Sequence, residues 1–272
     1  MLLRVGYELI YECPQPTPMI LNLSINYSRA SDIVVPDLIT TNPSVPISAY
    51  RDGFGNWCTR LVAPAGRIRI ASTAVVRDTG EPDRTAPMAT QSLVQDLPEE
   101  TLVFLLGSRY CDTDNLSQIA WDLFSNTPFG WGRVQAICDF VHNHVAFGYE
   151  HASPSKTASQ VYHDGQGVCR DFAHLAVTFC RCMNIPARYC AGYLSDIGTP
   201  PPYGPGDFAG WFEAYLGGRW YLFDPRNNVP RIGRVLIARG RDAADVAISS
   251  TFGPNELISF TVYTDEDVAP AT

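Results

Sequence analysis

Gly165-Gln166-Gly167-Val168-Cys169-Arg170-Asp171-Phe172-Ala173-His174-Leu175 is a backbone break followed at once by a helical pattern. The two glycines interrupt the chain, and Phe172, Ala173, Ala176, Val177 and Cys180 then recur as an apolar run. The pattern predicts a helix that opens at Cys169 and ends near Asn184-Ile185-Pro186. A thiol is a useful nucleophile only as thiolate, and the first-turn amides and dipole of a helix favour that anion while leaving the sulfur accessible. The same amides can hold the oxyanion of a tetrahedral intermediate. Taken alone, a cysteine after a glycine-rich turn also fits a packed core thiol.

Downstream of this helix, Ala187–Tyr193 reads as a strand and residues 196–210 as a Pro/Gly-rich loop. Trp211–Leu216, a Gly217-Gly218 turn and Trp220–Phe223 then read as a hairpin. Upstream, helical spacing recurs twice, in Leu116, Ile119, Ala120 and Leu123 and in Val134, Ile137, Cys138, Val141 and Val145. Residues 77–100, with Gly80, Pro82, Pro87 and Pro98 among charged and small polar residues, read as a surface connection and as the domain boundary. Before it lie short strands: Leu2–Tyr11, Met19–Tyr27, Ser48–Tyr50, Trp57–Leu61 and Arg67–Val76. Their alternation and their Pro, Gly and Asp boundaries predict a sandwich.

Composition narrows the function classes. A chain of 272 residues passes the size of about 250 at which single cores split, so two domains are expected. The net charge is −8 and no Lys/Arg run occurs, which argues against nucleic acid as a partner. Met1–Cys13 alternates apolar with polar residues, unlike a signal peptide, and no stretch is apolar for the roughly 18 residues a spanning helix needs. The expected compartment is the cytoplasm, without membrane contact. Eight cysteines then stay reduced. There is no CxxC pair, and Cys180 and Cys182 diverge on their helix, so neither a metal nor a cofactor is implied.

The motif set extends beyond one helix. Gly167–Leu175, Cys180-Arg181, Ile185–Tyr189, Gly192-Tyr193, the segment Asp207-Phe208-Ala209-Gly210-Trp211-Phe212-Glu213, and Trp220–Pro225 with Asn227-Asn228 together resemble the nucleophile helix, strand and hairpin of bacterial transglutaminase-like proteins. The resemblance covers roughly residues 115–230, and the β-rich segment before it resembles the N-terminal domain that accompanies this core in bacteria. It implies an α+β fold: an N-terminal β-sandwich domain at 1–90, a papain-like transglutaminase core at 100–240, and a 241–272 extension whose Leu257–Tyr263 strand returns to one of them. It also implies a cysteine hydrolase or acyltransferase acting on amide bonds of a peptide or protein, with Cys169 as nucleophile and Asp224 as the carboxylate that orients an imidazole.

That imidazole is missing. The family's histidine begins a His-Ala-Trp-x-Glu strand fifteen residues before the aspartate, and here Ala209 and Gly210 stand at its first two positions. Trp211 and Glu213 on one side and Asp207 on the other leave no register in which a histidine fits. Loss of such a base costs roughly two to six orders of magnitude in rate. The alternative to an active enzyme is therefore a catalytically impaired member that binds a peptide or protein in the old cleft. His174, about 140° farther round the helix than Cys169, reads as structural. His163 reads as an exposed loop residue, and His142, His144 and His151 have less to recommend them. Gln166 and Trp211 are candidate cleft residues, with turn and core roles as their alternatives, and Ala209→His combined with Gly210→Ala is the expected repair of the strand.

Overall fold

The computed structural model describes residues 1–204 and 206–267. It opens with strands β1 (Leu2–Cys13), β2 (Thr17–Leu21), β3 (Ile33–Val35), β4 (Thr40–Asn42), β5 (Ser48–Arg51), β6 (Trp57–Ala63) and β7 (Gly66–Arg77). The middle runs through α1 (Glu99–Leu102), α2 (Thr113–Phe124), α3 (Trp131–His144), β8 (Ala146–Phe147), α4 (Ala158–Asp164), β9 (Gln166–Gly167) and α5 (Cys169–Cys182). It continues with β10 (Ala187–Leu194), β11 (Ala209–Leu216), β12 (Arg219–Phe223) and β13 (Arg234–Gly240) and closes with β14 (Ser249–Thr251) and β15 (Glu256–Glu266).

In β1 the odd-numbered residues from Leu3 to Cys13 are buried, as strand alternation requires of a sheet with one face inward. That sheet has the order β15-β1-β7-β3, with β4 also on β7, and a second has the order β14-β2-β6-β5. Both are antiparallel, and Leu3, Leu9, Met19, Leu61 and Ile70 fill one core between them. Strand β2 stops short of the expected Tyr27. The Asn26 side chain accepts from Ser28 N and starts a 3-10 turn at Tyr27–Asp32 instead.

The third sheet, antiparallel β12-β11-β10-β13, carries α5 on one face. Helices α2, α3 and α4 pack around α5 over Leu116, Ile137, Phe172, Phe179 and Phe212. Tyr189, Tyr193, Val235 and Ile237 of β10 and β13 join the sandwich core, so the site stands where the two halves share one apolar interior. No helix among the described residues is long and apolar enough to cross a membrane.

One local expectation is corrected. His163 lies in the last turn of α4 rather than in a loop. Thr157 and Gln160 form a capping box at its start, and Gly165, at φ 65°, ends it in the left-handed region that glycine tolerates.

Candidate functional site

Cys169 is the first residue of α5. The Asp171 carboxylate closes the helix start by accepting from Val168 N at 2.9 Å, and its other oxygen accepts from the Arg170 guanidinium at 3.2 Å. Of the eight free cysteines, seven are buried and Cys169 alone is partly exposed. Its sulfur is nevertheless densely surrounded. Burial pushes the thiol up to about 11, Asp207 and Asp224 add to the rise, and the Gly210 backbone and Arg226 oppose it. The most accessible thiol is thus not an acidic one. The helix terminus that the sequence points to does not overcome desolvation by itself.

Two cavities meet at Cys169 and share Asp207, Phe208 and Ala209 in their walls. The smaller, about 120 Å³, adds Phe147, Tyr149, Asp196, Arg226, Asn227 and Arg231. The larger, about 610 Å³, adds Tyr110, Tyr189, Ala191, Val246, Ile248 and Phe260. Ala209 opens β11 and lines both Cys169 cavities. The Asp207 carboxylate accepts from Phe208 N at 2.7 Å, and burial raises its pKa.

Two expectations for this strand are overturned. Trp211 is no cleft residue: it is 1% exposed, lies beneath Arg234 at 4.8 Å, and lines neither Cys169 cavity. It belongs to an arginine-rich cavity elsewhere on the sheet, pressed so closely on β10 that a Cβ on Gly192 would stand 2.8 Å from its ring. Gly210→Ala would not steady the strand either. The added Cβ would stand 2.7 Å from Tyr189 Oη and 3.3 Å from Arg170 Cα.

Asp224 follows β12 and is buried, but its oxygens are already engaged. Oδ2 accepts from Arg234 Nη2 at 2.8 Å and Asn227 Nδ2 at 2.7 Å, and Oδ1 accepts from Asn227 N at 3.1 Å. Burial alone would raise its pKa, yet the Arg234 charge and the Asn227 hydrogen bonds hold it below the usual carboxylate range. Asp224 lines a separate cavity with Trp131, Gln135 and Cys138, while its neighbours Arg226 and Asn227 reach the smaller Cys169 cavity.

No histidine among the described residues lines either Cys169 cavity. His163 is exposed. His174 is fully buried between Tyr110 and Tyr189, with Nε2 accepting from Ala243 N at 3.1 Å. His142 and His144 bond to backbone carbonyls of Pro225, Arg226 and Tyr162, and His151 sits beside Glu150. Gln166 lies on the short parallel β8–β9 pair, where its carbonyl accepts from Lys156 Nζ, and it lines neither cavity. Sequence reasoning missed Tyr149, Asp196, Arg226 and Arg231. Arg226 stands two residues past Asp224 in the turn that follows β12, and that proximity was its one local signal.

This arrangement, a cysteine-headed helix laid on an antiparallel sheet that includes the β11–β12 hairpin, is that of the papain-like cysteine fold. A family model for the Transglutaminase-like superfamily matches residues 119–225. The crystal structure of "a Putative Cysteine Protease from Cytophaga hutchinsonii" is 30% identical, with a TM-score of 0.83, covering 100% of this chain and 92% of that one. An uncharacterised protein of Mycobacterium leprae is 38% identical over 91 residues, 31% of this chain and 31% of its own length. Another, of Mycobacterium tuberculosis strain H37Rv, is 35% identical over 121 residues, 39% of this chain and 36% of its own length. The chain therefore spans about a third of the curated relatives it matches. It belongs to the transglutaminase-like superfamily.

Proposed function

We propose that this chain is a transglutaminase-like acyl-transfer scaffold whose cleft at Cys169 binds an amide-bearing peptide or protein segment, with Cys–His–Asp turnover lost together with the histidine. The observation that carries the reading is the state of Asp224. The carboxylate that would orient an imidazole is ion-paired with Arg234 and hydrogen-bonded by Asn227, and Ala209 offers no ring to orient. A thiol held near 11 is almost wholly protonated at neutral pH, so it lacks the charge that makes the family's cysteine a nucleophile. The eight free thiols support the cytoplasm as the compartment.

A second reading, residual acyl transfer, is favoured by one observation. Asp207 shares both cavities with Cys169, and no arginine or lysine pairs with it among the described residues. Its carboxylate could take the thiol proton as sulfur attacks an amide carbonyl and return it to the leaving amine.

The test is turnover of casein and of a fluorogenic peptide, with and without a primary-amine acceptor, by the parent, Cys169→Ala and Asp207→Asn. The expected outcome is no difference between parent and Cys169→Ala, while the parent still retains peptide on a column. Turnover abolished by Cys169→Ala would sink the binding reading. Its further loss in Asp207→Asn would establish the second one.

A further inference from the structure

The larger cavity beside Cys169 specifies the ligand more narrowly, an inference that rests on the binding reading above. We propose that a ligand whose carbonyl lies at Cys169 places a bulky apolar side chain or acyl group in this cavity, and its polar continuation in the smaller one. About 610 Å³ falls within the range of roughly 300–1,000 Å³ in which proteins enclose small organic groups. The wall draws on β10 (Tyr189, Ala191), the segment before β14 (Val246, Ala247, Ile248) and β15 (Phe260).

The cation on that wall is already engaged. Arg170 donates to Ser153 O and to the Asp171 carboxylate, and Asp207 accepts from Phe208 N. An apolar occupant against Val246, Ile248 and Phe260 therefore leaves Arg170 paired, an anionic one would find no free cation among the described residues, and the unpaired Asp207 carboxylate belongs to the border shared with the smaller, polar cavity. Across the thiol the balance reverses, with Asp196, Asp207, Arg226 and Arg231 around only about 120 Å³. The difference in charge and volume gives the bound chain a direction. The small side chain at 209 supports the same reading, because Ala209 borders both cavities and an imidazole there would stand between them.

The probe is a pair of maleimides, N-ethyl and N-cyclohexyl, reacted with the native protein at pH 8.5 and mapped to Cys169 by mass spectrometry. Each rate is normalised to that with free cysteine. Burying each added methylene is worth about a fourfold preference, so the cyclohexyl reagent should lead by at least about tenfold. Ala247→Trp, which fills the cavity, should abolish the preference while the N-ethyl rate persists. Ile248→Asn serves the same purpose if the tryptophan variant fails to fold, and Arg226→Ala, on the polar side, should leave the ratio unchanged. Equal normalised rates in the parent, or a preference that survives a folded cavity variant, would overturn the proposal. Cys169-dependent turnover of casein with the preference intact would instead sink the binding reading and leave the pocket standing.

Discussion

At the scale of single residues, the site is decided by which charges reach Cys169. With burial holding the thiol at about 11, alkylation of the parent should rise with pH through the neutral range without a plateau. Ala209→His should change that profile, because an imidazolium beside the sulfur favours thiolate and adds a reactive plateau on the acid side. Arg234 competes with an imidazole for the Asp224 carboxylate, so the histidine is oriented more firmly where that ion pair is removed. Ala209→His with Arg234→Gln should therefore lower the thiol further than Ala209→His alone. If both variants fold and keep the parent's pH profile, residue 209 does not face the thiol.

At the scale of elements, α5 is held by a histidine that the fold keeps uncharged. Burial, with Arg170 and Arg181 nearby, holds His174 well below its usual pKa. The unfolded chain takes up a proton near pH 6.5 that the folded one refuses, so this contribution is complete above that pH and is lost as pH falls toward the folded value. Urea unfolding from pH 7.5 downward should show stability falling by up to about 1.4 kcal/mol per pH unit below about pH 6.5. His174→Gln keeps an acceptor for Ala243 N and should flatten that slope, and an unchanged slope would assign it to other groups.

The same helix shows what sequence makes legible. A glycine break and a helical apolar run are local signals, so the position of Cys169 at the start of α5 followed from them. The motif spacing likewise put Ala209 at the head of β11. Strand alternation says that residues 209 and 211 share a side, but not that Trp211 is sealed there by Gly192 and Arg234. The Arg234–Asp224 pair joins residues of different elements ten positions apart and had no signature of its own. Helix α4 did have one, in Thr157-x-x-Gln160 and Gly165, but its seven residues are too few for periodicity to stand out.

At the scale of the whole molecule, the sandwich and the core are not separable by one cut. Strand β15 runs antiparallel along β1 from Leu3↔Glu266 to Glu12↔Glu256, Val262 enters the sandwich core, and Phe260 walls the larger cavity. A chain stopped after Asn255 should lose cooperative thermal unfolding of the sandwich, read by near-ultraviolet circular dichroism. A melt as sharp as the parent's would show that β15 is dispensable.

Pairing the earliest strand with the latest also sets a timetable. Arg4 and Asp267, ion-paired in the fold, are separated by 263 residues. During synthesis β1 can find β7 early, yet its other edge stays open until residue 266 has been added. While the residues between β7 and β15 are being added, a nascent chain therefore carries an unpaired strand beside a half-built apolar face, the kind of edge that recruits other chains. Dependence on chaperones should be greatest while β15 is still missing, and yield should be limited by the arrival of that strand rather than by the site.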